Sequence, residues 1–156
     1  MNVTLADLGT ITEDVLTTVV GLSPIAGEPV AVDADAAGWL AGRIGIHGAY
    51  DAELAVQCSR ALADRIAAAF FGGPPAAAEA ADATDALLEL ANILAGHVNA
   101  LMTAPSRITL PSAVVGQGQA TPLARGTPPD LAVAYACDGE GLVVTLRRLP
   151  GATGDA

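Results

Sequence analysis

One stretch decides how this chain folds: DATDALLELANILAGHVNALMT, residues 82–103. Apolar residues recur through it at every third or fourth position, which is the spacing of one face of an α-helix. We therefore predict a long amphipathic helix that lies against a core. Its buried face is predicted to consist of Leu87, Leu90, Ala91, Leu94, Val98 and Leu101.

The opposite face of this helix is a polar stripe without a basic residue. Glu89 and Asn92 stand three positions apart in it, so their side chains leave the helix from the same patch of surface. Polar residues are the norm on a solvated helix face, and that is the plainer interpretation. However, a mid-helix Asn costs a few tenths of a kcal/mol and a Gly about 1 kcal/mol relative to Ala. The stripe accepts both; its members are Asp82, Asp85, Glu89, Asn92, Gly96, Asn99 and Thr103.

The two residue types at the centre of the stripe suit a binding or catalytic site. A carboxylate such as that of Glu89 can bind a cation or accept a proton. The carboxamide of Asn92 can donate and accept hydrogen bonds, so it can hold a water molecule in one orientation. Gly96, one turn further on, would let the backbone of a partner approach closely. We predict a site at Glu89 and Asn92.

Composition limits the classes of protein and of partner. With 156 residues, 52% of them apolar and 3% aromatic, the chain is expected to form one domain over residues 1–150 with an aliphatic core. Residues 151–156 (GATGDA) are expected to be a disordered tail. The net charge is −10, and all seven basic residues are Arg, so no basic patch for nucleic acid is expected. A partner with a basic surface would be attracted.

The sequence has neither the pattern of a signal peptide nor that of a membrane-spanning segment. The N-terminus MNVTLADLG lacks the basic region and the apolar run of a signal peptide. No run of about 18 apolar residues is present. We therefore expect no membrane insertion and a cytoplasmic location.

The rest of the chain predicts two shorter helices and about five strands. One hairpin comprises residues 38–46 and 52–58, and a closing hairpin comprises residues 131–137 and 142–149 around the turn DGEG. Further strands are predicted at residues 28–33 and 113–116. The shorter helices run from a cap at Thr10 or Thr12 to about Gly21, and from a cap at Ser59 to Gly72. The sum is an α+β fold, a mostly antiparallel sheet with helices packed on it.

The cysteines and histidines predict no metal site in this chain. Cys58 and Cys137 are far apart in sequence and have no CxxC spacing, so buried small hydrophobic residues are favoured over a disulfide. His47 has no second ligand at metal-binding spacing and is predicted to be a hairpin-turn residue. His97 is predicted to lie at the boundary of the polar stripe.

Several segments resemble one family in the right order. Asp85-x-x-x-Glu89-x-x-Asn92 resembles the signature helix of the CheC/CheX/FliY phosphatases of bacterial chemotaxis. GWLAGRIGIHGAYDAELAVQC resembles the CheX hairpin, LPSAVVGQG the proline-containing strand after the signature helix, and LVVTLRRL the last strand. The resemblance covers roughly residues 10–149. Pro111 follows Asn92 by 19 residues, which is somewhat short for the family.

The number of motifs separates the branches of this family. CheC-type members carry the motif twice, in two pseudo-symmetric halves. Here residues 13–21 (EDVLTTVVG) look like a degenerate counterpart without Glu-x-x-Asn. A single site per chain favours the CheX branch.

The resemblance implies a reaction and a partner. The substrate would be the aspartyl phosphate on a CheY-like response regulator, which supplies its own Mg²⁺ and a Lys, so this chain would need no cofactor. Asn92 would orient the attacking water, and Glu89 would pair with the regulator's Lys. Asp85, Gly96 and Asn99 would contribute to docking, and two copies would form a homodimer by joining their sheets.

Two other interpretations remain open at this point. In one, the same helix face docks a receiver or signalling domain without hydrolysis, as a binding or scaffold module. In the other, the chain is an unrelated α+β domain, which requires Asn92 to be buried or turned away from solvent.

Overall fold

One antiparallel sheet with three helices forms the described part of the chain. The computed structural model describes residues 2–27, 38–48, 50–74, 80–102, 105–116 and 128–150. The α+β prediction is confirmed, whereas the strand predicted at residues 28–33 and the tail at residues 151–156 lie outside these ranges. The elements are α1 (Leu5–Val15), a π-helical turn (Leu16–Val20), β1 (Ile25–Gly27), β2 (Trp39–His47), β3 (Asp51–Ser59), α2 (Arg60–Phe71), α3 (Ala80–Ala100), β4 (Arg107–Ile108), β5 (Ser112–Gly116), β6 (Leu131–Cys137) and β7 (Glu140–Arg148).

The sheet has the strand order β1-β6-β7-β3-β2-β4, and β5 also pairs with β2. Both predicted hairpins are present, with Ile44 opposite Leu54 in the first and Val133 opposite Val144 in the second. The described residues contain seven strands, so the prediction of about five was wrong. The two strands that were missed have three and two residues, too few to show an alternating pattern.

The core lies between this sheet and the three helices. Alternate residues of a strand point to the same face, and the even-numbered positions of β2, β3 and β7 are those that meet the helices. The apolar side chains at these positions, and the apolar helix side chains that face them, are almost completely buried, and the burial of each contributes roughly 1.5–3 kcal/mol. Members of this core include Leu40, Ile44, Leu54, Val56, Leu62, Ile66, Leu87, Leu90, Leu94, Val98, Leu142 and Leu146.

A close contact at Gly42 fixes α3 on the sheet. A Cβ atom at Gly42 would lie 3.2 Å from the carbonyl oxygen of Leu87 and 3.5 Å from the Cβ of Ala91. The backbone of α3 therefore rests almost directly on β2, and any larger side chain at Gly42 would push it away. Small buried residues on the same face of α3 permit this approach; they are Ala83, Ala86, Ala91 and Ala95.

Helix α1 begins earlier than predicted. The predicted caps Thr10 and Thr12 were wrong, because Thr4 and Asp7 form a capping box one to two turns upstream. Asp7 N–H donates to Thr4 Oγ1 at 3.1 Å, and Thr4 N–H donates to the Asp7 carboxylate at 2.9 Å. This backbone hydrogen bond, with a second one from the Thr4 hydroxyl, lowers the pKa of Asp7. Thr12 is buried inside the helix instead.

The other helix boundaries agree more closely with the sequence. Ser59 caps α2 by accepting a hydrogen bond from Leu62 N–H at 3.2 Å, as predicted. The helix stops at Gly72, which has φ of +81°, a conformation that suits glycine. Ala63 and Ala67 are buried on the core-facing side of this helix, whereas Ala69 is exposed.

Helix α3 is shifted toward the N-terminus relative to the prediction. It spans Ala80–Ala100 rather than residues 82–103. Leu101, predicted to be in the core, is 41% exposed because it follows the last helical turn. The rest of its predicted buried face is confirmed. Among the described residues, no helix combines the length and the apolar character that a membrane crossing needs.

The two cysteines are free and buried, as the sequence favoured. Cys58 lies in β3 and Cys137 in β6, with β7 between these strands. Strands two apart are separated by roughly 10 Å, which exceeds the Cα separation of a disulfide. Burial raises the pKa of both thiols, so they act as small core residues.

Candidate functional site

Glu89 and Asn92 project from the outward face of α3, one turn apart. Leu90, Ala91 and Leu94, between and beside them, are fully buried and hold this part of the helix against the sheet. Glu89 is exposed and Asn92 is half-buried. Among the residues that the structure describes, neither side chain has a hydrogen-bond or ion-pair partner. Both groups are therefore available to another molecule, with a rise of about 4.5 Å between their backbone positions.

Asp85 and Gly96 extend this surface by about one turn in each direction, and both are exposed. A Cβ atom built at Gly96 would meet nothing within 4 Å. Packing inside the described part of the chain therefore does not require glycine there. This distinguishes Gly96 from Gly42, where the neighbouring helix leaves no room for a larger residue.

Asn99 has an intramolecular contact that the sequence did not indicate. Its Oδ1 accepts a hydrogen bond from the Ser106 hydroxyl, and its side chain is half-buried. The bond ties the segment after α3 to the last turn of the helix. A role for Asn99 in docking stays a prediction, whereas Thr103, the last member of the stripe, lies outside the described residues.

The corresponding positions of α1 and its π-helical turn carry no such pair. Three residues after Glu13 comes Leu16, which is completely buried. The Tyr135 hydroxyl lies 3.1 Å from Glu13 Oε1 and 3.2 Å from the carbonyl oxygen of Gly9. Burial, together with the hydrogen bond and charge of Glu13, raises the pKa of Tyr135 to about 12. Glu13 therefore helps to fix α1 on β6, and α3 carries the one carboxylate–carboxamide pair of the two helices.

His47 and Asp51 form a side-chain pair that the sequence analysis did not predict. The two residues are directly opposite in β2 and β3, and His47 Nδ1 lies 2.9 Å from Asp51 Oδ1. With Ser106 and Arg107 they line an open cleft of about 550 Å³. His47 is thus the last residue of β2 and directly precedes the turn, rather than being part of the turn as predicted. Within the described ranges, no group of three or more His, Cys, Asp or Glu residues is arranged to hold a metal ion.

Comparison with known proteins identifies the family. The profile described as "Chemotaxis phosphatase CheX" matches residues 40–129, more than half of the 156 residues. The chain belongs to the CheX family. Members of this family are chemotaxis phosphatases. Among curated protein sequences, none matches the chain.

Solved CheX structures share the whole architecture. The CheX protein of Desulfovibrio desulfuricans is 22% identical, with a TM-score of 0.71 over 93% of this chain and 99% of that chain. CheX of Vibrio vulnificus is 18% identical, with a TM-score of 0.68 over 90% and 93% of the two chains. A Borrelia burgdorferi structure described as a CheX-CheY-BeF3-Mg+2 complex is 17% identical, with a TM-score of 0.65 over 94% and 99%. At such identities the likeness establishes the fold, and it confirms the predicted resemblance to CheX.

Proposed function

We propose that this CheX-family chain accelerates the hydrolysis of the aspartyl phosphate on a CheY-like response regulator. The observation that carries the proposal is the pair formed by Glu89 and Asn92, which project together from the outward face of α3 without an intramolecular partner among the described residues. The CheX-CheY composition of the Borrelia structure supports the choice of partner.

In this proposal Asn92 aligns the attacking water. Hydrolysis of an acyl phosphate depends mainly on placing the nucleophile in line with the leaving oxygen and on balancing charge. The carboxamide of Asn92 can accept one hydrogen bond from the water and donate another to the phosphoryl group. The half-buried position of Asn92 restricts its rotamers, which favours one orientation of the water.

Glu89 has the separate task of holding the regulator. Its exposed carboxylate would pair with the regulator's Lys, and the regulator's own Mg²⁺ would neutralise charge on the phosphoryl group. Asp85, Gly96 and Asn99 would form the surrounding docking surface. The open space above Gly96 is suited to a close approach by the backbone of the partner.

The rigidity of α3 supports this division of roles. Gly42 lets the backbone of the helix rest on β2, and the core clamps the face opposite the site. Groups on a well-packed helix are held more accurately than groups on a loop. Accurate placement matters here because a misplacement of about 1 Å can reduce a rate about 100-fold.

The test is phosphate release from a phosphorylated CheY-like receiver with and without the protein. We expect Asn92→Ala to lower the maximal rate about 100-fold, with little change in thermal stability because the side chain has no intramolecular partner among the described residues. Asp14→Ala, at an exposed acidic position of α1, is the matched control and should keep the wild-type rate. Equal rates for the wild type and Asn92→Ala would refute the catalytic role. Binding without acceleration would instead indicate a scaffold module.

We also propose that two copies associate by joining sheet edges, and that the chain acts in the cytoplasm with its regulator. Strand β1 lies at one end of the described sheet, and all three of its residues are exposed. Unpaired backbone groups on such an edge can pair with a second strand. Light scattering should give twice the mass of one chain. A monomer would refute the dimer and leave the proposed reaction unaffected.

A further inference from the structure

Phe71, the last residue of α2, is 56% exposed. The chain has only two phenylalanines, and the other one, Phe70, packs against the core with its ring 6.3 Å from that of Phe71. The next residues, Gly72 and Gly73, have φ of +81° and +85°, and a Cβ on either would meet nothing within 4 Å. The chain thus turns sharply after Phe71 and leaves half of its surface uncovered.

The position of Phe71 matters more than its exposure, since isolated exposed apolar residues are ordinary. Phe71, the two glycines, Pro74 and Asp82 line a shallow depression between α2 and α3. Asp82 is also the first residue of the polar stripe. Along the axis of α3 it lies about 10 Å from Glu89 and about 15 Å from Asn92. The depression therefore opens at the N-terminal end of the surface that carries the proposed site.

We infer that Phe71 is an apolar anchor for the same receiver domain whose phosphate Asn92 and Glu89 would address. The inference rests on the proposed function. A specific interface covers about 800 Å² on each partner, a patch about 16 Å in radius. A receiver centred on Glu89 and Asn92 would cover the depression at Asp82 and enclose the ring of Phe71.

The charge of the stripe explains why such an anchor is needed. Asp82, Asp85 and Glu89 carry negative charge, and the phosphorylation site of a receiver is itself acidic. Coulomb attraction between the two surfaces is therefore small outside the contact of Glu89 with the regulator's Lys. Binding energy in protein interfaces is concentrated in a few desolvated anchors, among which aromatic residues are prominent. Phe71 is a large, exposed apolar side chain beside the N-terminal end of the stripe and can supply such an anchor.

The test is a titration of the phosphorylated receiver at a fixed concentration of this protein. We expect Phe71→Ala to raise the half-saturating receiver concentration about tenfold or more and to leave the maximal rate within about twofold. Phe71→Leu should recover most of the lost affinity, because it restores apolar area. Leu5→Ala is the matched control, because Leu5 has a similar exposure of 53% on α1 and belongs to neither the polar stripe nor the proposed sheet-edge contact. It should change neither parameter.

Each outcome separates this inference from the proposed function. If Phe71→Ala keeps the wild-type half-saturating concentration, or lowers only the maximal rate, the anchor is refuted while the phosphatase proposal stands. A change in oligomeric state without a change in receiver affinity would also refute it, and would assign the surface to a second copy. If the wild type does not accelerate hydrolysis, the phosphatase proposal fails. In that case, calorimetry compares receiver binding by the wild type and by Phe71→Ala. Equal binding by the two proteins, or binding by neither, refutes the anchor.

Discussion

Gly42 on β2 and Gly96 on α3 are glycines for different reasons: packing requires the first, whereas packing among the described residues does not require the second. Gly42 lets the backbone of α3 lie against β2, and a Cβ there would be 3.2 Å from a backbone oxygen that cannot move independently. Gly96 faces open space, so it lowers helix stability without a packing benefit among the described residues. The first is required by the fold, and the second is expected to serve a partner.

We predict opposite effects on stability for substitutions at these two positions. Gly42→Val should lower the free energy of unfolding by about 2 kcal/mol through overpacking against α3. Gly96→Ala should raise it by roughly 0.5–1 kcal/mol, because Ala is the better helix former, while weakening activation of receiver hydrolysis. Urea denaturation measures the free energy of unfolding of both variants, and phosphate release measures the activation of receiver hydrolysis. A stabilised Gly96→Ala protein with full activity would contradict the docking role of Gly96.

The hydroxyl of Tyr135 makes stability depend on pH in the alkaline range. Its pKa is raised to about 12 in the folded chain by burial and by Glu13, whereas an unfolded tyrosine titrates near 10. Between these values the folded state binds more protons than the unfolded state, so stability falls as pH rises from about 10 to about 12. Below pH 10 the contribution is fully present. We expect Tyr135→Phe to show a smaller decrease across this interval in thermal unfolding. An unchanged pH slope would show that other groups cause the loss.

At the scale of elements, caps determine where helices begin. The Thr4–Asp7 box starts α1, and Ser59 starts α2 while also donating from its hydroxyl to Glu140 at 2.7 Å. Ser59 thus joins the N-terminus of α2 to the first residue of β7. This couples a local signal to a contact 81 residues away.

Removing the hydroxyl oxygen of Ser59 should lower stability markedly, because this one atom takes part in two hydrogen bonds. We predict that Ser59→Ala lowers the free energy of unfolding by about 1–2 kcal/mol, because Leu62 N–H loses its acceptor and Glu140 loses a donor. Ser59→Thr, which keeps a capping hydroxyl, is the matched control. Chemical denaturation provides the comparison, and equal stability of the two variants would argue against a capping contribution.

At the scale of the whole molecule, one continuous core includes both cysteines. Burial raises the pKa of Cys58 and of Cys137, and a thiol must be ionised and accessible to react. We expect neither thiol to react rapidly with an aromatic disulfide reagent in the native protein. Both should react after denaturation in urea. Rapid modification of one thiol under native conditions would reveal local opening near β3 or β6.

The sequence determined those features that depend on local periodicity. The buried face of α3, both hairpins and the outward position of Glu89 with Asn92 follow from spacings of two, three and four residues, since each such pattern lies within one element. The boundaries were less accurate. Leu101 fits the helical spacing but lies beyond the end of α3, and α1 begins at a capping box that periodicity does not show.

Tertiary structure decided what depends on residues distant in sequence. The contact of Gly42 with α3, the bond from Tyr135 to Glu13 across 122 positions and the site of Phe71 beside Asp82 arise when separate elements pack together. Short strands such as β1 and β4 also exist only because β6 and β2 offer them hydrogen bonds. Periodicity reports which face of an element is apolar, but not which neighbour covers it. That choice is made by long-range packing, for which a single sequence carries no local pattern.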